Sequence, residues 1–227
     1  MVTTSPRPSA TVGPVMPFAA GREADVFALD DDRVLRRYRD GSDATREVGV
    51  MAYLYEQGYP VPAVHSADGA EIVMERLDGP TMAQALLAGT VPILQGAAML
   101  ADLLRRLHAI GGQHGGETVG HFDLHPENVL LTTRGPIVID WRNAGDGSAD
   151  LDTAMTALIL AQVAIGSIEH PIGGQAGELL DLFLPRAPGD PLRKLDEAVE
   201  IRSRQLTMSP DEVAALGTAA ARVRGAN

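Results

Sequence analysis

Asp123 stands two residues after His121 and five before Asn128, in the run His121-Phe122-Asp123-Leu124-His125-Pro126-Glu127-Asn128, and a second carboxylate, Asp140, follows Ile137-Val138-Ile139. Phosphoryl transfer asks a protein for little covalent help. It needs a carboxylate to orient the attacking hydroxyl and hard oxygen ligands that fix Mg²⁺ on nucleotide phosphates. Asp123 suits the first task. Asn128 and Asp140 suit the second, because a neutral amide oxygen and a carboxylate can hold the ion while leaving positions for phosphate oxygens and water. Taken singly, Asp123 is a turn-capping carboxylate and Asn128 an Asx turn; only the combination points to chemistry. His121-x-Asp123-x-His125 also packs three metal-ligating residue types into five positions. Histidines beside a turn are more often structural, and zinc is disfavoured.

Elements must position these groups. Val129-Leu130-Leu131 and Ile137-Val138-Ile139 read as an apolar hairpin about Arg134-Gly135. Upstream, alternation predicts strands at Ala24–Leu29 and Arg33–Tyr38 around Asp30-Asp31-Asp32. Val48, Met51, Ala52, Leu54 and Tyr55 predict a helix over Ser42–Gln57, stopped by Gly58. Two short strands, Ala63–His65 and Ala70–Met74, flank the Asp68-Gly69 turn. Leu77-Asp78-Gly79-Pro80 reads as a linker, after which the composition becomes helical at Met82–Ala88 and Ile93–Ile110. Three further helices are expected to close the chain, the last opened by Ser209, Pro210 and the capping-box residue Glu212. The resulting organisation is a tail over 1–17 broken by Pro6, Pro8 and Pro14, a strand-rich segment over 18–76, the linker 77–80, and a helical segment over 81–227.

From about Gly21 to Ala164 the chain resembles the aminoglycoside phosphotransferase and choline-kinase-like group, whose catalytic loop reads His-x-Asp-x-x-x-x-Asn and whose second metal-binding aspartate ends the next hairpin. The resemblance implies an α+β, two-lobed protein-kinase-like fold with ATP and Mg²⁺ as cofactors. By that likeness Asp123, Asn128 and Asp140 are catalytic, with Asn128 and Asp140 holding the metal, and His121 braces the loop. Gly21 lies in the phosphate-covering turn. Arg36 takes the position of the usual lysine, with Glu47 as its helix partner. Met74 lines the adenine cleft, the Glu75 carbonyl and Leu77 amide face the base, and Asp150 bonds catalytic-loop backbone. Two departures stand out: Phe122 where the family often has glycine, and Arg36 itself. Arg37 is the fallback phosphate contact, although alternation places it on the opposite strand face.

The chain has 227 residues, no cysteine, and 19 Lys plus Arg against 30 Asp plus Glu, a formal charge of −11. Such a balance repels nucleic acid and anionic membranes and is compatible with a cationic small molecule. The longest apolar run, Ala154–Gly166, is shorter than the roughly 20 residues a membrane span needs, and cytoplasmic residence is the expectation. Asp140 lies too near Ala149-Asp150 to leave an activation segment for a polypeptide substrate. The expected partners are therefore a nucleoside triphosphate and a small hydroxylated acceptor, such as an aminoglycoside or another amino sugar or amino alcohol. The rival reading is a weakly active or inactive nucleotide-binding regulatory module. Asp146, Glu169, His170 and Asp181 are unranked candidates for the acceptor site.

Overall fold

The structure, a computed structural model, describes residues 19–20 and 23–225. The expected tail over 1–17 and Gly21 lie outside them. Alternating side chains build an antiparallel sheet from β1 (Ala19–Ala20), β2 (Ala24–Ala28), β3 (Arg33–Tyr38), β4 (Val64–Asp68) and β5 (Glu71–Glu75), in the order β1-β2-β3-β5-β4. In β3, Val34, Arg36 and Tyr38 are buried and Arg37 is exposed, as a period of two requires. α1 (Thr45–Glu56) packs beside this sheet and buries Glu47, Val50, Met51 and Leu54 along one stripe. It begins three residues later than the expected Ser42, because Asp40 and Asp43 spend their carboxylates on the N–H groups of Ser42 and Thr45 in Asx turns.

The linker is anchored at both ends: Arg76 N–H bonds Asp32 O at 2.8 Å, and Leu131 N–H bonds Pro80 O at 2.9 Å. Beyond it lie α2 (Met82–Leu87), opened by a Thr81/Gln84 capping box, and α3 (Ile93–His108). β7 (Val129–Thr132) and β8 (Gly135–Val138) form the expected apolar hairpin, with Val129 opposite Val138. β6 (Thr118–Gly120) pairs with β9 (Gly145–Gly147), a ladder without an alternating signature. Then come α4 (Ala149–Ala164), α5 (Gly173–Phe183), α6 (Leu195–Ser203), α7 (Pro210–Ala214) and α8 (Leu216–Gly225).

α4 carries the long apolar run. Every residue from Leu151 to Val163 is buried, and α5, α6 and α8 all pack against it. A helix apolar all round belongs in the middle of a helical layer. Among the described residues no helix is long and apolar enough to cross a membrane. Five helices follow the hairpin, not three. The Ser209/Glu212 capping box forms as expected but opens the short α7 and not the last helix.

Gly79 has φ +147°, and a Cβ there would fall 2.2 Å from Leu131 O. Gly89 has φ +69° and open space around it. Alanine at either positive φ costs roughly 1–2 kcal/mol of backbone strain, but only Gly79→Ala also drives the linker off β7. Thermal unfolding of the two variants should show a drop of a few degrees for Gly89→Ala and a drop at least twice as large for Gly79→Ala. Equal shifts would mean that the linker moves aside without cost.

Candidate active site

A carboxylate in the protein interior must be paired and hydrogen-bonded or lose its charge. Glu47 is 3% exposed and has three partners from two segments, β3 and the chain after the β7–β8 hairpin. Arg36 donates through Nη1 and the Tyr38 hydroxyl donates to the other carboxylate oxygen. The Trp141 backbone N–H donates at 3.0 Å. Arg36 in turn places Nη2 2.5 Å from Asp140 Oδ1. Burial works against the Arg36 charge, but Asp140 and Glu47 outweigh it and hold its pKa above the ordinary arginine value. Burial and the neighbouring Glu47 push the Tyr38 hydroxyl up. The expected Arg36–Glu47 pair is therefore present, extended to Asp140.

Arg37 points away from this network, half exposed, with Nε 2.6 Å from Glu71. Arg142 ties the segment after Asp140 back to the sheet: its guanidinium lies 2.7 Å from Asp40 and 3.3 Å from Glu23, over the Tyr38 ring. Hydrogen bonds from Arg142 and Ser42 hold the Asp40 carboxyl well below the usual carboxylate range. Burial raises Glu23, with Arg142 opposing.

The loop His121–Asn128 is held by its own side chains. His121 is fully buried, with Nε2–H donating to Ile139 O at 3.0 Å and Nδ1 accepting from the Asp123 N–H at 3.3 Å. Both ring nitrogens are thus committed, and the ring rests on Trp141 at 4.6 Å. Asn128 donates Nδ2–H to Asp123 O at 2.9 Å, which turns its amide oxygen the other way. The Ile139 N–H donates to Asn128 O at 3.0 Å, so Asn128 and Asp140 flank the open end of the β7–β8 hairpin. Asp140 has φ +64° and a side chain 43% exposed. Among the described residues no three acidic or histidine side chains cluster as a metal site.

Phe122 has φ +57°, a conformation glycine adopts freely. Its ring fills the slot that Gly120 and Gly147 leave open, where a Cβ on either would fall 2.4 Å from the ring. Its N–H donates to Asp152 Oδ1 at 2.7 Å, and Asp152 Oδ2 lies 2.9 Å from His108 Nε2. This corrects the expectation for Asp150. The residue that bonds the backbone of the His121–Asn128 loop is Asp152, while Asp150 accepts from the Asp190 N–H at 2.7 Å. At about 100° per residue the two lie on opposite sides of α4, so only one can face the loop.

At the linker, Met74 is buried in β5, the Glu75 carboxylate pairs with Arg134 of the β7–β8 turn, and Leu77 is half-buried. Of the acceptor candidates, Asp146 takes the N–H groups of Gln113, His114 and Gly116 at 2.6–3.0 Å. His170 lies 3.0 Å from Glu127, and Asp181 pairs with Arg222 at 2.8 Å. The groups that spacing did not reveal are Tyr38, His108, Trp141, Arg142, Asp152 and Arg202, whose Nη1 lies 3.5 Å from Asp123 Oδ1.

The sequence profile of the Phosphotransferase enzyme family matches residues 14–118 and 113–176. The chain belongs to that family. No curated protein sequence matches it. Among solved structures it is similar to the gentamicin complex of aminoglycoside phosphotransferase APH(2″)-IIa, with TM-score 0.60 and 12% identity over 90% of each chain. It is also similar to ADP-bound APH(2″)-Ib, with TM-score 0.57 and 12% identity over 94% of this chain and 95% of that one. A choline/ethanolamine kinase family protein from Mesorhizobium loti gives TM-score 0.52 and 17% identity over 96% and 94%. The fold of this family member is thus protein-kinase-like, a small antiparallel sheet followed by a mostly helical remainder.

Asp152 is fully buried, so Asp152→Ala strands the Phe122 N–H and His108 and should cost about 3 kcal/mol in denaturant unfolding. Asp150→Ala, at a partly exposed contact, should cost about 1 kcal/mol or less. The reverse order would return the bracing role to Asp150.

His125 Nδ1 accepts from the Glu127 N–H at 3.3 Å, and burial, with His121 and Arg202 adding to it, pushes the ring down to about 4. The folded pKa lies below the unfolded value, so the unfolded chain takes up the proton first. Stability is lost as pH falls from about 6.5 to about 4. His125→Asn keeps a capping acceptor without that proton and should lose ~1–2 kcal/mol less than the parent between pH 7 and pH 5. Parallel pH curves would refute a depressed His125 pKa.

Proposed function

We propose that this family member is a small-molecule kinase that moves the γ-phosphoryl group of ATP to a hydroxyl of a small acceptor, of the class of an aminoglycoside or another amino sugar or amino alcohol. The observation that carries this reading is the joining of Arg36, Glu47 and Asp140 in one ion network beside a loop that presents Asp123 and Asn128. Asp123 would accept the hydrogen bond of the acceptor hydroxyl and take its proton as the acceptor oxygen bonds phosphorus. The bond from phosphorus to the bridging oxygen breaks, and ADP leaves with that oxygen's electron pair. Arg36 would hold phosphate oxygens and Glu47 would steady it, while Met74, the Glu75 carbonyl and the Leu77 N–H would receive adenine along the linker.

Mg²⁺ fits the residues present. Asn128 has its amide nitrogen committed to Asp123 O, leaving the oxygen to ligate, and Asp140 is the partly exposed carboxylate nearby. Two oxygen donors make a poor all-protein site for so strongly hydrated an ion, which suits binding together with nucleotide phosphates. The ion would supply charge neutralisation to those phosphates. Only β9 and the Ser148 cap separate the Asp140 segment from α4, a connection too short to carry a docking segment for a polypeptide. The charge of −11 favours a cationic acceptor on approach.

The test is ATP-dependent phosphorylation across a panel of hydroxylated amines, amino sugars and neutral polyols, with and without Mg²⁺. With the best acceptor, Asp123→Ala should lower turnover roughly 10²–10⁴-fold and leave ATP affinity nearly unchanged. Arg36→Ala should raise the ATP KM and lower kcat together, Arg36→Lys should retain substantial activity, and Arg36→Ala with Glu47→Ala should lose less than the sum of the two. Full turnover in Asp123→Ala would remove that residue from the mechanism. Nucleotide binding without transfer to any acceptor or to water would favour the regulatory module instead.

A further inference from the structure

Arg202 lies beyond residue 176, where the family match ends, yet its side chain reaches the catalytic loop. It sits in the last turn of α6 and is 6% exposed. A buried guanidinium is costly unless its donors are met. Here Nε donates to Gln162 Oε1 and Nη1 to Gln205 Oε1 at 3.0 Å, and the same Nη1 lies 3.5 Å from Asp123 Oδ1. Gln162 is fully buried on α4, the central helix, so the guanidinium takes its place from the rigid middle of the helical layer. The Gln162 amide keeps its oxygen on Arg202 although its nitrogen has no partner among the described residues. A buried ion pair is weak evidence for stability, since apolar side chains of the same volume do as well.

The loop itself supplies no comparable cation. The run His121–Asn128 contains no lysine or arginine, and His121 has both ring nitrogens committed. Arg202 thus brings a cation to Asp123 from α6. We propose that Arg202 is a positioning residue for Asp123: it fixes the orientation of that carboxylate towards the acceptor hydroxyl, so that the helical C-terminal segment completes the catalytic loop. This rests on the kinase reading given above.

The experiment uses the full chain and the acceptor found by the panel. Arg202→Ala should lower kcat about 10²-fold while the ATP KM changes less than about threefold, since an orienting group acts on the chemical step and not on the nucleotide. Arg202→Lys should fall between the two, because a point charge restores attraction without the planar fork. Added guanidinium ion should recover part of the Arg202→Ala activity. Arg204→Ala, an exposed pair with Glu200 two residues away, is the control and should match the parent. Unchanged kcat, or equal loss in kcat and in nucleotide affinity without guanidinium recovery, would overturn the proposal.

Arg202→Met, which keeps volume without charge, replaces Arg202→Ala if the latter does not fold. Should the parent protein transfer phosphate to nothing, the kinase reading fails separately, and Arg202 is then read by the ¹³C resonance of the Asp123 carboxyl. That resonance should move in Arg202→Ala or Arg202→Met and stay in Arg204→Ala. An unmoved resonance would sink the proposal on its own.

Discussion

One buried carboxylate sets the geometry of the site. Glu47 takes hydrogen bonds from β3 through Arg36 and Tyr38 and from the chain after the β7–β8 hairpin through the Trp141 N–H. A charge at this depth is tolerable only while all of these partners are in place. The requirement fixes more than one side chain. A one-residue slip in β3 would turn Arg36 and Tyr38 outward together and bury Arg37 in their stead, because alternate residues face opposite sides of a strand. Trp141 must keep its N–H at Glu47, which places Asp140 beside Arg36. The ring of Trp141 then forms the floor on which His121 rests. Sheet, helix and hairpin are thus registered to each other through a single carboxyl group.

Backbone strain sits where this registration is tightest. Phe122 and Asp140 are the two non-glycine residues with positive φ among the described residues, at +57° and +64°. Each costs about 1–2 kcal/mol and persists only where neighbours over-determine it. For Phe122 those neighbours are Asp152, backed by His108, and the two glycines that admit the ring. For Asp140 they are Arg36 on the side chain and the Trp141–Glu47 bond one residue on. The strained residues immediately precede Asp123 or are Asp140 itself. A left-handed turn suits glycine, and this chain, with Phe122 there instead, accommodates the ring in a slot lined by Gly120 and Gly147.

Residues close in sequence, or bound to a strong period, were legible before the structure. Alternation put Arg36 and Arg37 on opposite faces of β3, whereas Glu47 was picked out only by the family resemblance, since the buried stripe of α1 runs through Glu47, Val50, Met51 and Leu54 and leaves Ala52 and Tyr55 of the expected apolar face exposed. Other features depend on helix phase or on pairing across the fold. Asp150 and Asp152 both lie in the first turn of α4, and only the packed position of Phe122 decides which of them reaches the loop. β6 and β9 are short and glycine-bearing, so neither carries an apolar alternation. The helix count after the hairpin was too low because Pro185, Pro188, Gly189 and Pro191 separate α5 from α6 through 3-10 turns at Leu184–Arg186 and Pro191–Lys194, and because α7 ends at Ala214, one residue before α8, with no glycine or proline to mark the break. Arg202 had no local signal at all, since its meaning lies in Gln162 and Asp123.

The choice of arginine at position 36 follows from the same constraint. Its planar fork places one nitrogen on Glu47 and another on Asp140, two carboxylates contributed by α1 and by the hairpin end. A lysine ammonium is a single point and cannot meet both with fixed geometry. On the kinase reading, Arg36 would hold nucleotide phosphate oxygens and Asp140 would help hold Mg²⁺ on them. Such binding would draw on the Arg36–Asp140 pair, whereas the more deeply buried Arg36–Glu47 pair would hold the guanidinium in place. Metal-free nucleotide would leave Asp140 facing phosphate oxygens with no compensating charge, and metal alone would draw Asp140 away from a buried arginine. On that reading Arg36, anchored by Glu47, would be the residue through which binding of the two is coupled.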